Sequence, residues 1–252
     1  MHKIFAKPLF LGKKVVFLPQ CHSTNDELTS LSKNNKEPEG IVLYTNNQIK
    51  GKGQRGNLWI AEPGKNVLMS VLLKPTFLDP QNQYYLNLIT GLAIIDALKN
   101  HVSHNLVLKW PNDVYVNEKK IAGILIESNI RGSVLESSVV GVGLNVNQGG
   151  FNFPKATSLY LETGSKFEIL DIMEELLQHL EKWYMRLKSG NKDQILSSYH
   201  ELLMWRGERR HFKAKDKEFV GEIVGINEHG NLTINYNGDL KQYGIKEIEF
   251  VG

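Results

Sequence analysis

The sequence predicts an α+β fold in which one β-sheet packs against helices and a small β-rich segment follows. Short apolar runs rich in Val and Ile alternate with long amphipathic patterns up to about residue 205, a mixture typical of a sheet covered by helices. Beyond that point the pattern changes to short strands, and Asn237-Gly238 is a strong hairpin signal. We therefore expect one domain at 1–205 and a small β-barrel-like domain at 206–252.

Six apolar runs predict strands of the sheet, because β-branched residues favour this conformation. They lie at residues 41–45, 67–73, 106–109, 114–116, 121–127 and 139–146. Apolar residues at three- and four-residue spacing predict the helices. The first begins near Thr24, whose spacing to Glu27 is that of a capping box, and the others cover about 84–98, 169–187 and 195–203.

Composition and charge exclude several classes of protein. The 252 residues are 41% hydrophobic and 23% charged, with a net charge of only +3, so neither a disordered chain nor bulk nucleic-acid binding is favoured. Cys21 is the only cysteine, which excludes an intramolecular disulfide and a cysteine-rich metal site. The longest apolar runs are strand-sized, and the first residues do not form a secretory signal. We expect a cytoplasmic protein that does not associate with membranes.

A glycine-rich segment is the first candidate binding site. Residues 51–56, G-K-G-Q-R-G, have the spacing of a dinucleotide-binding loop, but the residues that follow lack the helical periodicity on which that motif depends. The glycine backbone can approach an anion, Lys52 and Arg55 carry positive charge, and Trp59 can stack on a base. The segment predicts either a site for a phosphate-containing ligand or a solvated hairpin loop.

A lysine at a strand end is the second candidate. Lys109 ends an apolar run and is followed by a proline-fixed turn, W-P-N-D, at 110–113. Such a lysine either rims a cleft or packs its methylenes along the strand and leaves its ammonium in solvent.

Taken together, these segments resemble the biotin protein ligases. The motif K-W-P-N-D begins at Lys109, K-K-I-A-G-I-L begins at Lys119, and the glycine loop precedes both. Residues 23–25, S-T-N, and 141–147, G-V-G-L-N-V-N, are similar to two further motifs of that family, and all of these blocks keep its order. The resemblance implies a class II synthetase-like catalytic domain with a mixed β-sheet and, from position and length alone, an SH3-like β-barrel at the C-terminal end.

The resemblance also implies an activity. The family joins biotin to ATP as biotinyl-5′-AMP and then transfers the biotinyl group to a lysine of a biotin carboxyl carrier protein, as in acetyl-CoA carboxylase. Two anions, a carboxylate and a triphosphate, must meet, so cations near the reacting atoms are expected to dominate catalysis. Mg²⁺ would arrive with ATP, and no metal site in the protein itself is expected.

Individual residues receive roles through the resemblance. Lys109 would bridge the biotin carboxylate and the α-phosphate, with Lys52 and Arg55 as further catalytic cations. The expected biotin contacts are Ser23, Thr24, Asn25, Gln48, Gly51, Lys52, Gly53, Gln54 and Lys109. The expected ATP contacts are Arg55, Trp59 near the adenine, Lys120, and Asn145 near the phosphates or Mg²⁺. The alternatives are a core position for Trp59, a solvated Lys120 and a turn role for Asn145.

Departures from the family pattern affect two expectations. Where the family often has G-R-G-R, this chain has Lys52 and Gln54, which shifts the loop's guanidinium to Arg55. The S-T-N block begins at residue 23, which leaves no room for the N-terminal DNA-binding domain of many bacterial relatives. We therefore expect no operator binding, while a homodimer through a sheet edge stays open.

Two other functions also stay open. A lipoate or octanoate ligase shares the fold and the acyl-adenylate chemistry, although its arginine-serine-glycine signature is absent. The basic residues between Trp205 and Lys215 could mark a nucleic-acid-binding module, a solvated face, or a segment that helps to enclose ATP or the carrier. His101 and His104 form the only close histidine pair and are expected at the surface.

Overall fold

The structure is a computed structural model that describes residue 5 and residues 7–33, 36–215 and 217–251, the side chain of Arg55 excepted. Its strands are β1 (Val15–Leu18), β2 (Val42–Thr45), β3 (Asn66–Leu73), β4 (Leu106–Lys109), β5 (Asp113–Val116), β6 (Lys119–Arg131), β7 (Val134–Asn145), β8 (Arg209–Ala214), β9 (Lys217–Ile226), β10 (Leu232–Tyr236), β11 (Asp239–Tyr243) and β12 (Glu249–Val251). Its α-helices are α1 (Thr24–Ser32), α2 (Tyr84–Leu98), α3 (Leu159–Thr163), α4 (Ile169–Lys188) and α5 (Lys192–Glu201).

The first seven strands form one mixed sheet in the order β1-β2-β3-β7-β6-β5-β4. The β1–β2 pair is parallel and the other pairs are antiparallel. This confirms the predicted mixed α+β architecture. The six predicted strands are all present, whereas β1 and the short helix α3 were missed.

Helices cover both faces of this sheet. All eight residues of β3 are buried, as expected of a strand with apolar layers on both sides. Val67, Met69 and Val71 pack into the main core with α2 and α4, whereas Leu72 packs with Leu28 of α1 in a second cluster. Because side chains alternate along a strand, Ser70 also faces α1. The polar site described below lies on this α1 face.

The helix predicted at 195–203 ends earlier than its apolar pattern suggested. Helix α5 stops at Glu201, since Leu202 leaves it to pair with β4. The amide of Leu108 donates to Leu202 O at 2.8 Å, and the amide of Met204 donates to Leu108 O at 2.9 Å. The chain after α5 is therefore fastened beside Lys109.

The last five strands form an antiparallel sheet in the order β11-β10-β9-β8-β12. Asn237 and Gly238 have φ values of 54° and 93°, which suit the predicted tight hairpin turn between β10 and β11. Among the described strands this sheet is open, so the predicted SH3-like barrel is not confirmed, and the domain boundary near residue 205 stays a prediction. No helix in the described ranges is both long and apolar enough to cross a membrane.

Candidate active site

A cavity of about 480 Å³ lies on the α1 face of the mixed sheet. The glycine loop, the turn between β4 and β5, and strand β12 also line it. It brings together the predicted site residues Ser23, Thr24, Asn25, Gln48, Lys52, Gly53, Gln54, Trp59, Lys109 and Lys120. Gly51 is buried beneath the loop. Arg55 belongs to a short 3₁₀ turn, Gln54–Gly56, but its side chain lies outside the described residues.

One end of the cavity is built by the start of α1. The predicted capping box is wrong, because Ser23 is the N-cap and makes no capping hydrogen bond in the described structure. The amide and the hydroxyl of Thr24 both donate to Gln48 Oε1, at 2.8 and 3.1 Å. The acceptor oxygen of Gln48 is thus engaged by Thr24, and both Ser23 and Gln48 line the cavity.

Asn25 fastens this helix to the sheet. Its Nδ2 donates to Glu127 Oε2 at 2.8 Å and to Leu125 O at 3.1 Å, and its Oδ1 accepts from Ser70 Oγ at 2.6 Å. A Cβ atom at Gly141 would lie 2.2 Å from Asn25 Oδ1, which explains the first glycine of the 141–147 motif. Ser70 and Glu127 were missed as site residues, although Ser70 interrupts an apolar strand.

The glycine loop closes on itself rather than leading into a helix. The amide of Trp59 donates to Gly51 O at 2.9 Å, and the amide of Gly53 donates to Asn57 O at 2.7 Å. A Cβ atom at Gly51 would lie 2.4 Å from Trp59 O, so this loop geometry requires glycine there. No α-helix follows the loop before β3 in the described chain, as the sequence predicted, so the helix N-terminus on which the dinucleotide-binding motif depends is missing here.

The Lys52 ammonium is paired with the carboxylate of Asp26 in α1, which the sequence analysis did not identify as a site residue. The two groups form a close ion pair, and the hydrogen bond between them raises the pKa of Lys52. Both side chains are more than two-fifths exposed, so the pair is a weak one. An anionic ligand can therefore draw Lys52 away from Asp26 at little cost.

The indole of Trp59 packs directly against two glycines of the mixed sheet. Gly123 and Gly143 are opposite each other on β6 and β7, and a Cβ atom at Gly143 would lie 2.4 Å from the Trp59 ring. Trp59 Nε1 is buried and has no hydrogen-bond partner among the described residues. Lys120 Nζ stands 5.6 Å from the ring centre. The two glycines thus allow a flat aromatic group to form one wall of the cavity.

Lys109 lines the cavity from the end of β4. Its ammonium is 3.5 Å from the Tyr115 hydroxyl. Burial lowers the pKa of Lys109; Asp113 opposes this effect, while Lys155 and Lys120 add to it. The carboxylate of Asp113 lies 2.7 Å from Lys120 Nζ, so it is engaged by a different lysine. Lys109 therefore presents a poorly solvated positive charge to the cavity.

Other predicted residues lie away from the cavity. Asn145 is 3% exposed, donates from Nδ2 to Thr157 O at 2.9 Å, and does not line the cavity. Its expected role at the nucleotide stays a prediction. His101 is half-buried against Glu175 at 2.8 Å, and His104 is exposed. In the described part of the chain, no three His, Cys, Asp or Glu side chains are grouped to hold a metal ion.

A mixed sheet with a cavity lined by a glycine loop and by a lysine at the end of β4 is the arrangement that the sequence predicted. Residues 17–145 match the model of the biotin/lipoate A/B protein ligase family, and the chain belongs to this family. Its sequence is 30% identical to the biotin–[acetyl-CoA-carboxylase] ligase of Mycobacterium tuberculosis over 87% of this chain and 82% of that protein. It is 27% identical to the bifunctional ligase/repressor BirA of Bacillus subtilis over 95% of this chain and 74% of that protein.

The fold is also similar to that of a solved relative. The biotin protein ligase of Aquifex aeolicus in complex with biotin and ATP superposes with a TM-score of 0.79 at 26% identity. The alignment covers 94% of this chain and 98% of that one. The likeness therefore includes the C-terminal sheet as well as the region matched by the family model.

Proposed function

We propose that the chain is an ATP-dependent biotin–[biotin carboxyl carrier protein] ligase. In the first step a carboxylate oxygen of biotin attacks the α-phosphorus of ATP, which gives biotinyl-5′-AMP and releases pyrophosphate. In the second step the ε-amino nitrogen of a carrier lysine attacks the acyl carbon, and AMP leaves. Relatives named as biotin–[acetyl-CoA-carboxylase] ligases support this carrier.

The observation that carries the proposal is that Lys109 lines the same cavity as two different sets of binding groups. Ser23, Thr24 and Gln48 supply polar groups, and Trp59 and Lys120 supply a ring and a cation. In the proposed complex, biotin binds at the first set and ATP at the second, so that these sets form the two ends of the site. A carboxylate at one end and a phosphate at the other would meet at the Lys109 ammonium. Their repulsion, which opposes reaction in the absence of a cation, is reduced there.

The polar end suits the ureido ring of biotin. This ring has a carbonyl and two N–H groups, which lose free energy if they are buried without partners. The Ser23 hydroxyl can both donate and accept, and the amide nitrogen of Gln48 can donate to a carbonyl. Gly141 and Gly143 line the same cavity, and their missing side chains make room for Asn25 and for the Trp59 ring. Asn25 acts here mainly by holding α1 in place.

The other end suits ATP. The Trp59 ring offers a stacking surface for adenine, and Lys120 lies beside it. Lys52, and by expectation Arg55, add positive charge for the phosphates, and Mg²⁺ enters bound to ATP. The approach of two anions favours the charged form of Lys109 and so raises its pKa from the lowered value caused by burial. The lysine is therefore most firmly charged when both substrates are present.

Further expectations go with this proposal. We place the catalytic part at 1–205 and an SH3-like β-barrel at 206–252, in a cytoplasmic protein that binds no specific DNA. A homodimer through a sheet edge stays open. The nucleic-acid alternative has little support from the basic segment, because Arg206 donates to Val224 O and Arg210 pairs with Glu208.

Exchange of labelled pyrophosphate into ATP tests the proposal. We expect exchange that depends on biotin, followed by transfer of biotin to an added apo carrier domain. Lipoate and octanoate serve as matched acids, since a ligase for either shares the fold. Exchange with lipoate or octanoate but not with biotin would replace the proposed substrate, and no exchange with any of the three would reject acyl-adenylate chemistry.

A further inference from the structure

The ammonium of Lys109 lies among three aromatic rings. Its Nζ is 5.0 Å from the ring centre of Tyr115, 5.2 Å from that of Phe250 and 6.0 Å from that of Trp205. These distances fall in the range over which the face of an aromatic ring attracts a cation. Tyr115 belongs to the same hairpin as Lys109, but Trp205 and Phe250 come from the C-terminal part of the chain. We call these three rings the aromatic cage.

Trp205 is brought to Lys109 by the backbone of its neighbours. The segment before it pairs with β4, through Leu108 N–H to Leu202 O at 2.8 Å and Met204 N–H to Leu108 O at 2.9 Å. Trp205 itself has a φ of 62°, which is uncommon for a bulky residue. The chain therefore turns sharply where the indole is placed, directly after the residues that hold β4.

Phe250 reaches the cavity from the last strand. It lies opposite Phe212 in the β8–β12 pair, and its ring centre is 5.5 Å from that of Phe212 and 5.8 Å from that of Trp205. Phe250 also lines the cavity. The Phe250 ring is therefore positioned by its contacts with Phe212 and Trp205, and it also lines the cavity.

The cage holds a cation without neutralising it. Asp113, the carboxylate nearest in sequence, is engaged by Lys120 at 2.7 Å, so the described contacts of Lys109 are to rings and a hydroxyl rather than to a close carboxylate. A carboxylate partner would have to be displaced by each substrate anion, whereas a ring need not be. An ammonium held in this way stays available to two incoming anions.

We propose that Trp205 and Phe250 are positioning residues that hold the Lys109 ammonium at the reaction centre through an aromatic cage. This rests on the proposed adenylation function and extends it, because it gives the C-terminal sheet a part in the first chemical step. The rings direct the lysine side chain, while only Lys109 touches the reacting groups. Loss of a ring should therefore affect the charge and position of Lys109 more than the binding of biotin alone.

Replacement of each ring by an aliphatic side chain tests the positioning role. We expect Trp205→Leu and Phe250→Leu each to lower the kcat of biotin-dependent exchange about tenfold, whereas Trp205→Phe, which keeps a ring, should retain most activity. Phe219→Leu is the matched control, since Phe219 lies in the same sheet and packs on Phe212, Tyr236 and Tyr243 without touching Lys109. Rates are compared at equal folded fraction. An equal loss in Phe219→Leu would show a merely structural effect and overturn the proposal.

A second measurement does not depend on activity. Trace labelling of lysines by acetic anhydride over a range of pH, read by mass spectrometry, gives the titration midpoint of Lys109 in the full chain. Leucine keeps the site dry but lacks the ring's attraction for a cation, so both cage variants should shift that midpoint down by about half a pH unit or more. The other charged or titratable groups facing Lys109 are unchanged in these variants: Asp113, Tyr115, Lys120, Lys155 and Glu249.

The two measurements separate the possible failures. If the wild-type chain shows no exchange with biotin, the proposed function fails, and the cage is still judged by the labelling midpoints. If exchange is normal in wild type but the Lys109 midpoint is the same in wild type, Trp205→Leu and Phe250→Leu, the cage is refuted while the proposed function stands. A downward shift confined to the two cage variants, absent in Phe219→Leu, supports the proposal.

Discussion

A methyl group added at Gly141 would collide with the side chain that fastens α1 to the sheet. In Gly141→Ala the new Cβ would lie 2.2 Å from Asn25 Oδ1 and 2.9 Å from Asn25 Cγ. Asn25 cannot easily move, because Ser70, Glu127 and Leu125 hold it with hydrogen bonds of 2.6, 2.8 and 3.1 Å. The substitution must therefore break part of this network or shift the start of α1.

The expected loss of stability follows from the hydrogen bonds of Asn25 that the substitution breaks. Each intramolecular hydrogen bond contributes about 0.5–1.5 kcal/mol, and a buried polar group left without a partner costs about 1–3 kcal/mol. Loss of one or two of Asn25's bonds should lower the free energy of unfolding by about 2–4 kcal/mol. For a chain of this size that corresponds to a fall in Tm of about 5–15 °C. Biotin should bind at least about tenfold more weakly, since Thr24 moves with α1 and its hydrogen bonds to Gln48 are disturbed.

Thermal unfolding followed by circular dichroism and biotin titration by calorimetry measure the two effects. Gly150→Ala is the matched control, because a Cβ atom there meets nothing within 4 Å, and it should change Tm and biotin affinity little. The reasoning would be refuted if Gly141→Ala matched Gly150→Ala in both Tm and biotin affinity.

Two further outcomes are expected. First, Lys52→Gly and Arg55→Gly should release biotinyl-AMP and label bystander lysines more than Gln54→Ala does, because cations retain the adenylate phosphate. Bystander labelling is measured at equal adenylate production. Increased labelling by Gln54→Ala alone would contradict this expectation. Second, burial lowers the pKa of His200, whose Nε2 accepts from the Ile226 amide at 3.0 Å, so its contribution to stability is present above pH ~6.5 and lost as pH falls through the lowered pKa. Urea unfolding from pH 7 to 4 should show a shallower decline in His200→Gln, and identical slopes would contradict this.

The sequence predicted the regular elements well where a pattern was long or strongly apolar. Helix α2 runs over Tyr84–Leu98, as its periodicity predicted. Strand β1 was missed because its four residues, Val15–Leu18, follow two lysines and are stabilised by parallel pairing with β2, a contact distant in sequence. Helix α3 is a single short helix of five residues, too short to show a period.

The candidate site was predictable where one short motif carries several of its residues. Lys109, Lys120, Trp59 and the S-T-N segment were identified in this way, and the structure brings them to one cavity. The partners that hold them were not, because they come from distant elements that lack a local signal.

The side chain of Thr24 shows why hydrogen-bond partners in the site cannot be predicted from neighbouring residues in the sequence. Its hydroxyl satisfies a capping box on sequence grounds, but Gln48, which is 24 residues away, accepts that hydrogen bond instead. In the sequence, Asp26 likewise resembles an ordinary helix residue, and Ser70 resembles a polar interruption of a strand. Trp205 and Phe250 carry no motif at all, and only the pairing of their backbone segments with β4 and β8 brings them to Lys109.

The central claim is that Lys109 is the cation at which the biotin carboxylate and the α-phosphate meet. Biotin-dependent exchange of pyrophosphate into ATP by Lys109→Ala tests it most directly, with Lys119→Ala as a matched loss of charge at an exposed residue outside the cavity. Removal of one preorganised electrostatic group at the transition state costs on the order of 10²-fold or more in rate. We predict that loss for folded Lys109→Ala and nearly normal exchange for Lys119→Ala. Near wild-type exchange in folded Lys109→Ala would contradict the account.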